Sequence, residues 1–241
     1  MLVGFAVTAP LTVLNGIPAG LGAHQLGWIA VSGVGNVAGL MFVYEALRVG
    51  KVSIVAPIAS TEGAIAAVLA IATGESLGVS AGLMLCLIAV GVMLASITEG
   101  GGSGDPLRAS LLASGAAVCF GASLFATARV GDTLPLIWAL IPARAIGVTV
   151  VALPLIASRT LKLTRPAVPL VVASGLCEVG GFASYAIGAR HGIAISAVLA
   201  SQFAAFAAVA AYFLFRERLT RLQVLGVAAI VAGVAVLSAT T

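Results

Sequence analysis

Charged side chains are scarce in this sequence of 241 residues. Asp, Glu, Lys and Arg make up 8% of the chain, 61% of the residues are hydrophobic, and the mean hydropathy is +1.20. A soluble domain carries about 25% charged residues, which cover its surface. So few charges cannot make a water-compatible surface, and the lipid bilayer is the solvent that fits. The net charge of +4 is too small to indicate nucleic-acid binding.

Residues typical of catalytic and metal sites are also scarce. The two aspartates, Asp105 and Asp132, fall in predicted loops, and the sequence has no HExxH or GxxxxGKS motif. An intramembrane enzyme needs paired acids, a metal site or a nucleophile with its base. Cys86, Cys119 and Cys177 form no CxxC pair, and we interpret them as buried free thiols. The sequence therefore predicts no enzyme, no cofactor and no metal site.

Hydrophobic segments fill most of the chain. A membrane-spanning helix needs about 20 mostly apolar residues, and helices break at glycine, proline or clustered charge. We predict nine spanning helices: 2–19, 26–47, 53–73, 79–98, 107–129, 134–157, 168–189, 193–214 and 221–239. The glycine-rich segment 99–106 predicts a linker between a first half, 1–98, with four helices and a second half, 107–241, with five.

Basic residues lie unevenly in the predicted loops. Nine of them fall on one side: Arg48, Lys51, Arg108, Arg159, Lys162, Arg165, Arg216, Arg218 and Arg221. Arg129 and Arg190 fall on the other side. The positive-inside rule makes the nine-residue side cytoplasmic, which would put the N-terminus in the cytoplasm and the C-terminus outside.

The two halves of the chain repeat each other at an offset of 142 residues. The informative matches are the charged ones, Arg48 with Arg190 and Glu75 with Glu217, because charges are rare here. The offset covers five helices, an odd number, so equivalent helices would cross the membrane in opposite directions. This pattern is the inverted-topology repeat of secondary transporters. The first repeat lacks one helix of a 5+5 arrangement, so either the start is truncated or nine helices suffice.

Two stretches then resemble a known family. They are "YEALRVGKVSIVAPIAS…GESL…AVGVMLAS" and "YAIGARHGIAISAVLASQF…FRERLTRLQVLGVAAIVAGVAVLS". Both are similar to the paired EamA domains of the drug/metabolite transporter superfamily. The resemblance implies ten helices in two inverted halves, export of small metabolites, and both termini in the cytoplasm.

Polar residues in the middle of predicted helices are the candidate binding groups, because burying them in a membrane is costly. They are Glu62, Glu178, Arg144, Asn36, Gln202 and, two turns past Glu178, Tyr185. Glu62 is the candidate for carrying a proton or binding a substrate ammonium group. The alternative is a protonated glutamate held by the hydroxyls of its neighbours.

Structural roles are alternative interpretations of the remaining candidate residues. Arg144 and Glu178, on adjacent antiparallel helices, could form a closed ion pair that only stabilises the bundle, or could meet substrate. Asn36 and Gln202 could be hydrogen-bonding contacts between helices. Glu75 and Glu217 lie at the start of the following helix, and we interpret both as structural caps of that helix.

The sequence thus predicts an all-α polytopic membrane protein, a helical bundle of two inverted-topology repeats in a prokaryotic cell membrane. We predict a secondary transporter that exports small amino-acid-like or drug-like metabolites at a midplane cavity, with protons as a possible coupling ion. The alternative is a non-transporting membrane scaffold or partner subunit with a degenerate first repeat. GxxxG-type contacts are compatible with a homodimer as well as with packing inside one bundle.

Overall fold

The computed structural model of the chain describes residues 1–50, 52–96, 105–159, 164–202 and 220–240, and in these residues it contains helices and no strand. The helices are α1 (Leu2–Asn15), α2 (Ala23–Val49), α3 (Val52–Ala59), α4 (Glu62–Ala72), α5 (Val79–Ser96), α6 (Pro106–Thr133), α7 (Leu136–Gly147), α8 (Leu153–Ala157), α9 (Val168–Gly188), α10 (Ile193–Ala200) and α11 (Arg221–Thr240). The predicted all-helical fold is confirmed for this part of the chain.

Four helical segments in the described ranges are long and apolar enough to cross a membrane. They are Ala23–Val49, Leu107–Thr133, Leu136–Ala157 and Arg165–Gly188. Shorter apolar helices include Leu2–Asn15, Glu62–Ala72, Val79–Gly91 and Val224–Gly233. Helices suit a bilayer because they satisfy every backbone donor and acceptor within the segment.

One predicted helix is interrupted in the structure. The segment 53–73 is divided into α3 and α4 by a turn at Ser60 and Thr61. The Thr61 N–H donates to the Ile58 carbonyl at 3.1 Å, a bond to the third residue back instead of the fourth. The uniform hydrophobicity of the segment does not show this turn, so the sequence predicted one continuous helix.

The helix after residue 136 also departs from regular geometry. A π-helical segment, Val148–Ala152, joins α7 to α8, and the Leu153 N–H donates to the Val148 carbonyl, five residues back. Pro154 follows, and since proline has no N–H it cannot complete the regular α-helical ladder there. Arg144, a predicted site residue, lies one turn before this segment.

The chain forms two compact units, which do not coincide with the two halves of the sequence. The first unit comprises Met1–Val37 and Ser123–His191, and the second comprises Ala38–Ala122 and Gly192–Thr241. Each unit therefore combines helices from both halves. The division into repeats at 1–98 and 107–241 stays a prediction.

Small buried residues let the helices of each unit approach closely. The first unit has a core cluster of Val130, Leu134, Ala139 and Ala186. The second unit has a cluster of Ala46, Val55, Ala109 and Ala113. The cysteines do not belong to a core: Cys86 and Cys177 are exposed on the helix surfaces and Cys119 is half-buried. The prediction of buried thiols is wrong for the first two, because an apolar helix in a membrane exposes its outer face to lipid.

In the second unit, α5 and α11 pack through two glycines in equivalent positions. A β-carbon on Gly91 would lie 2.8 Å from the Gly226 carbonyl oxygen and 2.9 Å from Ile230. A β-carbon on Gly233 would lie 3.5 Å from the Met84 carbonyl oxygen and 2.6 Å from Ile88. Each residue of the first contact has its counterpart in the second at the offset of 142, so the two contacts are reciprocal.

Candidate functional site

The turn between α3 and α4 is built from two hydroxyl residues. The Ser60 hydroxyl donates to the Ala56 carbonyl at 2.8 Å, and the Thr61 hydroxyl donates to the Ile58 carbonyl at 2.7 Å. These bonds satisfy carbonyl groups at the end of α3, as hydroxyls commonly do where a helix is interrupted in a membrane. Because both hydroxyl protons go to backbone carbonyls, they are not donated to Glu62.

A second turn follows α10 in the same unit. The Ser201 N–H donates to the Ala197 carbonyl at 3.1 Å, and the Ser201 hydroxyl donates to the Val198 carbonyl at 3.0 Å. Gln202 comes next, with only 6% of its side chain exposed. Its Nε2 atom is buried and has no hydrogen-bond partner in the described part of the chain. A buried donor without a partner is costly and is available to a ligand.

The two turns lie against each other. A β-carbon on Gly63 would collide with the Ala197 carbonyl oxygen and the Ser201 hydroxyl. On another side, a β-carbon on Gly121 of α6 would lie 2.8 Å from the Glu62 carbonyl oxygen. The first turn of α4 is therefore packed between α10 and α6, and glycine is the residue that permits both approaches.

Glu62 is the first residue of α4 and is half-buried beside these two turns. Over the described ranges, its carboxylate has no hydrogen-bond or ion-pair partner. The structure thus brings Glu62 into the same region as the turn that contains Gln202. It does so through backbone contacts that hydrophobic periodicity does not reveal.

Arg144 anchors a different polar group, in the first unit. Its side chain is fully buried: Nη1 donates to the Leu140 carbonyl at 3.0 Å, and the guanidinium lies 4.6 Å from the centroid of the Phe182 ring. Nη2 lies 3.5 Å from Glu178 Oε1 and 3.5 Å from the Glu178 carbonyl oxygen. The Nε atom has no partner within the part of the chain that the structure describes.

Glu178 completes this pair but is less enclosed than Arg144. Its side chain is 28% exposed, and its Oε2 lies 3.6 Å from the α-amino group of Met1. Arg144 and Glu178 therefore form an ion pair, one of the two arrangements that the sequence left open. The exposed fraction of Glu178 and the unpaired Nε atom leave both groups able to contact a further molecule.

Asn36 and Tyr185 are buried in the first unit. Asn36 is 5% exposed on α2, and the Tyr185 hydroxyl donates to the Leu124 carbonyl at 2.8 Å. A hydroxyl bound to a backbone carbonyl favours a packing role for Tyr185.

A cluster of hydroxyls between α2 and α6 was not predicted. The Ser32 and Thr127 hydroxyls lie 2.7 Å apart, and the Ser123 hydroxyl donates to the Ser32 carbonyl at 2.7 Å. The signal in the sequence is the spacing of Ser123 and Thr127, four residues apart and so on one face of a helix. Within a membrane such bonds join helices.

Glu75 does act on a helix N-terminus, but not on that of the helix that follows it. Its Oε2 accepts a hydrogen bond from the Ile193 N–H at 3.1 Å, and its Oε1 accepts one from the Ala194 N–H at 3.1 Å. These are the first two residues of α10, 118 positions away from Glu75. The predicted cap of α5 is wrong because the chain turns Glu75 towards α10. Glu217 lies outside the described residues.

In the described ranges there is no group of three or more His, Cys, Asp or Glu side chains that could hold a metal ion.

Comparisons with known proteins identify the family. The model of the EamA-like transporter family matches residues 107–239, which is more than half of the 241-residue chain. A solved structure entitled "Crystal structure of protein" is similar, with a TM-score of 0.77 and 18% sequence identity over 99% of this chain and 84% of that one. At this identity the similarity shows a shared fold. No curated protein matches the chain. The chain is a multi-pass membrane protein, and it belongs to the EamA-like transporter family.

Proposed function

We propose that this chain is a secondary transporter that exports small amino-acid-like or drug-like molecules across the cytoplasmic membrane of a prokaryote by alternating access. Its two halves, 1–98 and 107–241, are inverted repeats, and the matched contacts of Gly91 and Gly233 support this symmetry. Membership of a transporter family supports the general activity.

The observation that carries the proposal is the contact between the turn that precedes α4 and the turn that follows α10. The first turn comes from the first half of the sequence and places Glu62 at the start of α4. The second turn comes from the second half and contains Gln202. Transporters with inverted repeats commonly bind substrate and coupling ions at discontinuous helices, where polar groups face a central site. The Glu62 carboxylate and the buried Gln202 amide, which have no partners among the described residues, supply an acceptor and a donor at this place.

The chemistry of the two groups defines their roles. Glu62 alternates between binding a proton and binding a positively charged group of the substrate, so that one replaces the other. Gln202 donates from Nε2 to an acceptor on the substrate. Arg144 and Glu178 supply a second polar position in the first unit, with Asn36 and Tyr185 buried in that same unit.

Transport by Glu62→Gln in proteoliposomes tests the assignment. The amide keeps the size of the side chain but cannot exchange a proton, so we expect pH-driven transport of a cationic or zwitterionic compound to be lost. Glu45→Gln is the matched control, because Glu45 forms an exposed pair with Arg48 at 2.9 Å. Unchanged transport and unchanged pH dependence in Glu62→Gln would refute the role of Glu62. A wild-type protein that transports none of a broad panel of metabolites and drugs would favour a membrane scaffold.

A further inference from the structure

The end of α4 is shaped to direct Glu75 away from its own helix. Gly74 has a φ of +105°, its N–H donates to the Ile71 carbonyl at 3.0 Å, and the Glu75 N–H donates to the Ala70 carbonyl at 3.0 Å. These two bonds form a Schellman motif, which ends a helix and reverses the chain. Gly74 is needed because residues with a β-carbon are strained at this φ. The side chain of Glu75 is thereby held at the helix end instead of on the following helix.

Helix α10 has no capping side chain of its own. Gly192 occupies the N-cap position, and no side-chain capping bond is made from it. The first N–H groups of a helix need acceptors that the helix itself does not supply. Glu75 provides the acceptors for the first two N–H groups of α10, with one carboxylate oxygen for each. A carboxylate at a positive helix end forms bonds stronger than those between neutral groups.

The two hydrogen bonds of Glu75, called the tie below, lie at one end of the pair formed by α4 and α10. The turns at residues 60–61 and 201–202 lie at the other end. Gly63, near the start of α4, packs against Ala197 and Ser201 at the end of α10. Glu75, after the end of α4, binds the start of α10, so the two helices are antiparallel. The 11 residues of α4 cover about 16 Å. The tie and Glu62 are therefore separated by about the length of this helix.

We propose that Glu75 is a latch that holds one membrane face of the transporter closed. α4 belongs to the first half of the sequence and α10 to the second, and both lie in the second compact unit. In this proposal, opening of the face parts the ends of these two helices within that unit. Separation breaks both bonds of Glu75 and leaves the start of α10 without acceptors. By the positive-inside rule this is the outer face, since the loops at 73–78 and 189–192 lie opposite the nine basic residues. The latch rests on the transport function proposed above.

Thiol labelling tests the latch without any transported substrate. The reporter is Ala70→Cys in a chain whose three native cysteines are replaced by alanine; Ala70 is fully buried on α4. A membrane-impermeant maleimide is added to proteoliposomes, and the initial rate of labelling is measured. We expect Glu75→Ala to raise the rate about tenfold or more, the factor that loss of one charge-assisted hydrogen bond allows. Glu45→Gln should leave the rate unchanged.

A second variant separates a latch from a simple helix cap. Gly192 has an extended backbone, and a β-carbon there would lie 3.5 Å from Glu75 Oε1, so serine fits. Serine at an N-cap supplies an acceptor to its own helix. In Glu75→Ala/Gly192→Ser, we expect thermal stability to return towards that of the parent while fast labelling of the reporter persists, because the two halves remain untied.

Two results would overturn the latch. One is a folded Glu75→Ala variant whose reporter stays as protected as in the parent; Glu75→Gln replaces it if the alanine variant does not fold. The other is a double variant in which labelling returns to the parental rate along with stability, which would make Glu75 a cap only. Failure of transport in the parent would reject the proposed function but would leave the labelling result interpretable.

Discussion

Replacing Gly63 with alanine should destabilise the contact on which the proposed site depends. A β-carbon at this position would collide with the Ala197 carbonyl oxygen and the Ser201 hydroxyl, and would lie 2.8 Å from the Ser201 β-carbon. The obstacle includes backbone, which cannot rotate away as a flexible side chain could. Overpacking of this kind costs about 1–3 kcal/mol. Displacement of the first turn of α4 would also move Glu62.

The matched control is Gly82→Ala in α5 of the same unit. A β-carbon on Gly82 would have no heavy atom within 4 Å among the described residues. Alanine there should stabilise the helix by about 0.5–1 kcal/mol, because it restricts the unfolded chain more than glycine does. We therefore expect the free energies of unfolding of the two variants to differ by about 1.5–4 kcal/mol.

Reversible unfolding in mixed micelles, monitored by the circular dichroism signal of the helices, measures this difference. Adding Ser201→Ala removes the hydroxyl and should recover part of the loss in Gly63→Ala, so that the two substitutions are not additive. Transport should fall in Gly63→Ala at temperatures at which the protein is still folded. If Gly63→Ala were as stable as Gly82→Ala, the close approach of α4 to α10 would be wrong.

Two further substitutions test the first unit. Arg144→Gln should lower the free energy of unfolding by about 2–4 kcal/mol in the same micelle assay, because a half-buried Glu178 loses its guanidinium partner. The control is Arg48→Gln, in an exposed pair, which should change the free energy of unfolding by less than about 1 kcal/mol. Equal effects of the two substitutions would contradict a buried pair. Ser123→Ala should cost about 0.6–1.7 kcal/mol, since its hydroxyl joins two helices in the membrane. Ser114→Ala serves as the control, because the Ser114 hydroxyl donates to the Ser110 carbonyl of its own helix. An equal loss in the two variants would refute the role of the hydroxyl cluster.

Helix positions follow closely from local hydrophobicity. The predicted helix 168–189 is observed as Val168–Gly188, and the predicted helix 79–98 is observed as Val79–Ser96. The sequence did not predict the helix ends and breaks that depend on backbone geometry and hydrogen bonds. α1 ends at Asn15 and not at residue 19 because the backbone leaves helical geometry at Gly16, which has a φ of +65°. The turn at Ser60 and Thr61 depends on two hydroxyl bonds that composition does not show.

The candidate site was predictable as a set of residue types but not as an arrangement. Glu62, Arg144 and Glu178 stand out because charges are rare in apolar segments. Their neighbours do not stand out: Gly63 looks like any of the 29 glycines, and its importance comes from the helix that packs on it. The pairing of Arg144 with Glu178 needed the geometry of α7 and α9 to choose between an ion pair and two separate groups.

The sequence by itself determined the membrane environment, the helical fold and the family, because these depend on composition, segment length and motifs along the chain. The tertiary structure decided which polar groups meet. Glu75 was predicted to cap the helix that follows it, yet it binds α10, 118 residues further on. The side-chain type and the turn at Gly74 are local properties. The choice of partner depends on which helix end the packing of α4 against α10 brings within hydrogen-bonding distance.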